Sequence, residues 1–189
     1  MSLLPFLTLR ISIDSNFTGG TKMFGFLKKK EKYEPLNLND RQISSLGNGK
    51  LIPVTSVSDE MFAEEMMGET IAFSFTGNGV TIFAPANGTL SAIFPTGHAF
   101  GITTADGVEI LVHIGVNTVE SKGAGFKLLG KKQGDRVKAG DPIVTVDFDK
   151  LGSSYDMSTM LIITDPDGKT VTLKKEGTVE RSSIIGTIA

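Results

Sequence analysis

From Leu51 onward the chain is cut into short apolar stretches by glycine-, asparagine- and aspartate-rich turns, and this punctuation constrains the fold most. The stretches are Leu51–Val57, Ile71–Phe75, Val80–Ala84, Thr89–Phe94, Ala99–Thr103, Val108–Ile114, Pro142–Phe148, Met160–Ile163 and Thr170–Leu173. Between them stand Gly77-Asn78-Gly79, Pro85-Ala86-Asn87-Gly88, Asp106-Gly107, Ala139-Gly140-Asp141 and Asp165-Pro166-Asp167-Gly168. Short runs rich in Val, Ile, Thr and Phe, separated by residues that suit tight turns, predict an all-β fold, an antiparallel sandwich or barrel. Helix is expected only in brief pieces. The best candidate is Asp59–Met67, capped by Ser58 or Asp59, with Phe62, Met66 and Met67 on neighbouring faces. The expected folded domain runs over 46–189, after a disordered tail over 1–45.

Composition removes several classes of function. Cysteine is absent, which excludes disulfides, thiolate metal sites and thiol nucleophiles, and fits a cytoplasmic location. A formal charge of -2, with no basic stripe, gives no nucleic-acid surface. No apolar run approaches the ~20 residues that cross a bilayer. The opening Leu3-Leu4-Pro5-Phe6-Leu7 lacks the basic flank and cleavage site of an export signal. Met23, shortly after Gly19-Gly20, is expected to be the natural start, with residues 1–22 as upstream sequence. Residues 23–32, apolar and then basic through Lys28-Lys29-Lys30, make at most a weak contact with an anionic membrane surface.

The chain has two histidines, His98 and His113, flanking the turn Thr104-Ala105-Asp106-Gly107. A two-residue loop at Ala105-Asp106 sets the pair directly opposite, with Cβ atoms ~4.5–5.5 Å apart. A loop at Asp106-Gly107 sets His113 opposite Phe100 and leaves His98 a diagonal neighbour at ~7–8 Å. Both keep the imidazoles on one face; an odd-length loop separates them. On spacing alone three roles stay open. The pair is ordinary packing, or part of a zinc site short of further ligands, or a nucleophile with a neighbour that steadies developing charge.

The local sequence goes further. Gly107-Val108-Glu109-Ile110-Leu111-Val112-His113-Ile114-Gly115-Val116-Asn117-Thr118-Val119 resembles the active-histidine signature of the glucose-type IIA component of the phosphoenolpyruvate-dependent sugar phosphotransferase system. Asp59-Glu60-Met61-Phe62-Ala63-Glu64, Ala84-Pro85-Ala86-Asn87-Gly88-Thr89-Leu90, Thr96-Gly97-His98-Ala99-Phe100, Gly123-Ala124-Gly125-Phe126 and Gly134-Asp135-Arg136-Val137-Lys138-Ala139-Gly140-Asp141 continue the likeness in order.

The resemblance implies a compact barrel-sandwich hybrid with one or two short helices. It implies that His113 takes a phosphoryl group from the small carrier HPr and passes it to a IIB domain of a sugar permease. His98 is then a charge-stabilising neighbour, Thr96 holds its ring, and the Gly115 carbonyl accepts from the other nitrogen of His113. No cofactor is implied beyond the transient phosphohistidine; zinc is not expected. Met61, Phe62, Phe94, Phe100, Leu111 and Val119 are the expected apolar rim that docks partners. Regulatory proteins binding the same face are the alternative reading. Asn117 stands where the family usually carries an acid, with Asp59 and Glu60 placed to compensate. Gly68-Glu69-Thr70 and the proline-free Phe73–Gly77 also depart from the family pattern.

Overall fold

The computed structural model describes residues 33–189. The expectations for Met23, for residues 1–22 and for residues 23–32 lie outside the described residues. Fourteen strands and two four-residue helices make up the described part. Every strand pairing is antiparallel, as the punctuated sequence predicts.

The large sheet has eight strands. In spatial order they are β13 (Gly177–Val179), β2 (Gly49–Ile52), β3 (Glu69–Ser74), β11 (Thr159–Asp165), β7 (Glu109–Ile114), β6 (Ala99–Thr103), β5 (Gly88–Ile93) and β9 (Arg136–Val137). A second sheet joins β4 (Val80–Phe83), β10 (Pro142–Val146) and β8 (Phe126–Leu128). A third joins β1 (Gln42–Ser44), β14 (Ile184–Ile188) and β12 (Val171–Leu173). Their facing sides enclose one apolar core that includes Ile43, Leu46, Phe73, Ile82, Phe100 and Val112. Such a sandwich hides one side of each strand, so residues alternate in and out with period two.

The folded part begins earlier than residue 46. β1 pairs with β14, and Ile43 is fully buried. Ahead of it, the Leu36 N–H donates to the Ala139 carbonyl, and Tyr33 packs edge-on against Phe83 at 4.8 Å. Much of the stretch 33–45 is polar and lies over the surface, while Ile43, its one buried apolar residue, anchors it.

A smaller apolar cluster covers the outer side of the large sheet. Ala72 of β3, Met160 and Ile162 of β11, Val57, Val116 and Phe62 form it, with Leu111 packed against them. Helix α1 (Glu60–Ala63) supplies Phe62, and α2 (Phe148–Leu151) packs on the main core. The Asp59 carboxylate caps α1 by accepting from the Met61 N–H at 2.9 Å, worth about 1 kcal/mol. The helix stops well short of Met67. Glu65 takes a left-handed φ of 53°, and its carboxylate accepts from the Thr70 N–H at 2.7 Å, turning the chain back into β3.

Candidate functional site

His113 lies in β7 on the outer side of the sheet, where alternation places Leu111 beside it and Val112 in the core. Across the strands its neighbours are Met160 of β11 on one side and Ala99 of β6 on the other. Beyond Met160 stands Ala72 of β3. The row therefore runs Ala72, Met160, His113, Ala99, and the small side chain of Ala99 leaves space beside the imidazole.

The register corrects the expected hairpin. Thr103 pairs with Glu109 and Ala99 with His113, so residues 104–108 form an odd-length loop. It is closed by the Thr104 N–H donating to the Val108 carbonyl and by the Thr104 hydroxyl accepting from the Val108 N–H. Regular alternation would send His98 to the core side. The rings nevertheless meet, with centroids 5.3 Å apart and planes at 79°. His98 sits one residue outside β6, directly after Gly97, whose φ is +77°. The Gly97 N–H closes a turn onto the Phe94 carbonyl, and the His98 carbonyl still accepts from the Ile114 N–H at 2.8 Å. The backbone stays on the ladder while the left-handed residue before it redirects the ring. A side chain at Gly97 would meet Phe126 Cβ at 3.1 Å, so glycine is required twice over.

Each ring is held. His98 Nδ1 bonds the Thr96 hydroxyl at 2.5 Å, which fixes the orientation of the ring. Phe94 backs the His98 ring at 5.1 Å, and Phe62 backs the His113 ring at 5.1 Å. Nδ1 of His113 is buried without a hydrogen bond of ordinary geometry, although the Gly115 carbonyl is close enough to favour its protonation.

The chain leaves His113 through a tight turn with Gly115 at φ +71° and Asn117 at φ +57°. A Cβ at Gly115 would meet Thr118 Cγ2 at 2.5 Å, so this position too demands glycine. Asn117 is exposed, and asparagine suits the left-handed conformation there. The Thr118 hydroxyl donates to the Ile114 carbonyl and steadies the turn.

Burial decides the charge of the pair. Loss of hydration, then the neighbouring His98, lower the His113 pKa to about 4, against smaller opposing pulls from the Gly115 carbonyl and Asp59. Burial also lowers the His98 pKa. At pH 7 both rings are neutral, so each keeps one ring nitrogen with a lone pair.

Of the expected rim, Met61, Phe94 and Val119 are exposed at 51%, 44% and 51%. Leu111 is half-buried beside His113. Phe62 is buried over the ring rather than standing at the rim. Phe100 is not a rim residue: it is 1% exposed in the main core, because it pairs with Val112 on the inner side of β6. Asp59 reaches His113 electrostatically, whereas Asn117 brings no charge. Asp156, Met160 and Ala99 also shape the site and escaped the sequence reading; only the Asp156-Met157-Ser158 turn carries a local signal, since a carboxylate there bonds the N–H two residues on. Among the described residues no group of three or more His, Cys, Asp or Glu side chains is arranged around a common point, and no helix is long and apolar enough to cross a membrane.

Known proteins resemble this chain in sequence and in fold. Residues 41–168, which include both histidines, match the family described as phosphoenolpyruvate-dependent sugar phosphotransferase system, EIIA 1. The glucose-specific EIIA component of Mycoplasma capricolum is 39% identical over 139 residues, covering 73% of this chain and 88% of that protein. The glucose-specific EIICBA component of Streptococcus pneumoniae is 38% identical over 149 residues, 78% of this chain. The chain spans only 20% of that longer relative's length. The solved structure of glucose permease IIA from Mycoplasma capricolum superposes with a TM-score of 0.71 at 37% identity, covering 77% of this chain and 93% of that one. With residues 41–168 matched and the antiparallel sandwich shared, this chain belongs to the EIIA 1 family of the sugar phosphotransferase system.

Proposed function

We propose that His113 is the residue that carries the phosphoryl group, receiving it from the phosphohistidine of HPr and delivering it to a IIB domain of a sugar permease, in the cytoplasm. The observation that carries this reading is the neutral, half-buried ring of His113 facing the buried imidazole of His98 across 5.3 Å inside an apolar collar. Nδ1 is closed off, so Nε2 supplies the lone pair. It attacks phosphorus in line as the donor's N–P bond breaks and that electron pair returns to the donor imidazole. In the onward step a cysteine or histidine of the acceptor attacks, and the N–P bond on His113 breaks in turn.

Charge on the transferring group collects on its equatorial oxygens, so positioning and electrostatics carry most of the catalysis. With the Thr96 hydroxyl donating to Nδ1, His98 presents its Nε2–H to those oxygens. Met61, Phe94 and Val119 offer a partner apolar area and exclude water from the transfer. No metal or cofactor enters the proposed sequence of steps. The same collar favours a second role, docking of regulatory proteins when His113 is unmodified.

The test is incubation with phosphoenolpyruvate, enzyme I and HPr. Acid-labile phosphate is expected on His113 of the wild type and absent from His113→Ala. A wild type that never acquires label, or a His113→Ala protein that does, overturns the proposal. Affinity capture with and without prior phosphorylation tests the second role: partners retained only by the unmodified protein support it, and none retained rules it out.

A further inference from the structure

Three stretches remote in sequence meet at Asp156, and two of its bonds reach beyond its own turn. Its Oδ2 accepts from the Ser58 N–H at 2.9 Å, on the approach to α1. Its Oδ1 accepts from the Ser158 N–H at 2.8 Å, at the entry to β11. Its main-chain carbonyl accepts from the Val116 N–H at 2.7 Å, in the turn that leaves His113. Beside it, the Gly115 N–H donates to the Ser158 carbonyl at 3.0 Å. Ser58 immediately precedes Asp59, the cap of the helix that lays Phe62 on the His113 ring.

We infer that Asp156 is a positioning residue for His113, fixing the segment that carries Asp59 and Phe62 to the turn that carries the Gly115 carbonyl. The inference rests on the phosphocarrier reading of His113 given above. Asp156 acts at second hand, since the charges that work on the imidazole are those of His98 and Asp59. Burial works against its own ionisation, but hydrogen bonds from Ser158 and Ser58 outweigh it and hold its carboxyl below the ordinary range. It is therefore a full acceptor at neutral pH, and bonds to a charged acceptor are the stronger kind.

The two partners it joins pull the ring in opposite directions. Phe62 contributes to the burial that lowers the His113 pKa, the largest influence on the ring, whereas Asp59 raises it. Releasing the segment loosens both. Because burial dominates, the net effect of Asp156→Ala is a His113 pKa that rises from about 4 toward 6.5. Asp59→Asn removes only the charge and lowers it. Opposite signs separate loss of position from loss of charge.

The experiment follows the His113 ring signals by NMR across pH in wild type, Asp156→Ala, Asp156→Asn and Asp59→Asn, alongside the rate of phosphorylation by phospho-HPr. Asp156→Ala is expected to shift the His113 titration upward and to slow phosphorylation on the order of tenfold, below the roughly hundredfold of a 1 Å misplacement. Asp156→Asn keeps one carbonyl oxygen and should recover part of both, and it serves where the alanine variant fails to fold. Folded variants whose His113 titration and rate match wild type overturn the inference, as does a downward shift like that of Asp59→Asn. The titration needs no phosphoryl transfer, so a wild type that fails to accept phosphate would sink the phosphocarrier assignment of His113 while leaving the positional claim decided by the pKa alone.

Discussion

Phe62 lies tilted against His113, centroids 5.1 Å apart and planes at 44°, so the first turn of α1 is also the cover of that imidazole. The capping carboxylate of Asp59 therefore has two consequences: it starts the helix, and through the helix it dries the ring. Phe62→Ala should raise the His113 pKa from about 4, because burial is its leading cause. It should also cost about 3 kcal/mol of stability, as large-to-small changes in packed clusters do. NMR titration and urea unfolding check the two effects separately, and an unmoved titration would show that the phenyl ring is not what keeps water away.

His98→Gln should leave His113 able to accept a phosphoryl group but slow its delivery to the acceptor. The substitution removes the imidazole 5.3 Å from His113 that is proposed above as the donor to the transferring oxygens. It also removes one of the influences that lower the His113 pKa, so the remaining ring should titrate higher than in wild type. Single-turnover assays of loading and unloading, run separately, distinguish the two half-reactions. Equal slowing of both would contradict the asymmetry.

Thr96→Val keeps the shape of the side chain and removes the hydroxyl that bonds His98 Nδ1. Stability should fall by about 1 kcal/mol, the net worth of one hydrogen bond. Phosphoryl transfer should fall further than that, since His98 loses both its orientation and its fixed tautomer. Thr96→Ser, with the hydroxyl restored, should recover most of the rate. If valine and serine variants transfer equally well, the hydroxyl has no part in the chemistry.

Stability should decline between pH 6.5 and 5 more steeply than carboxylates alone allow. His113 binds its proton near pH 6.5 when unfolded but only at about 4 when folded, so acid favours the unfolded chain. The contribution is complete above the unfolded value and is lost as pH falls through that window, by about 2 kcal/mol between 6.5 and 5 at 1.36 kcal/mol per unit. His98, lowered in the same sense, adds to the slope. Glu65 and Asp156 sit below their ordinary values of 4.5 and 3.8 and give up their share only in stronger acid. Urea unfolding at pH 7 and pH 5 should give a smaller difference for His113→Gln than for wild type; identical differences would place the titration elsewhere.

Much of the architecture could be read from the chain because its strands are bounded by turns that only certain residues form. Ile71–Phe75 overlaps β3 and Val80–Ala84 overlaps β4, while Ala99–Thr103 is β6. What escaped were pairings too short or too polar to show alternation, such as Arg136–Val137 and Gly177–Val179, and Ile184–Ile188, which Gly186 interrupts. Their order comes from neighbours, since Gly186 lies against Ile43 and Leu173 and has no space for a side chain.

The histidine pair shows how a correct inference can rest on a wrong step. Period-two reasoning with a two-residue loop brought the rings together, whereas the loop is odd-length and Gly97 supplies the rotation instead. Phe100 was misplaced for a related reason: a motif names residues but not sides, and the register turns that ring inward. Asp156 was invisible because its partners Ser58 and Val116 are distant in sequence and contribute only backbone N–H groups, which every residue except proline has.

The three-stranded sheet closes with β1, so β14 has a neighbour on each side. A protein shortened to begin at Leu46 would strip β14 of that neighbour and bare a row of unsatisfied amides and carbonyls next to Ile185 and Ile188. Such a border recruits other chains. The few residues ahead of Leu46 thus act as a selvedge, keeping each copy from knitting itself to the next.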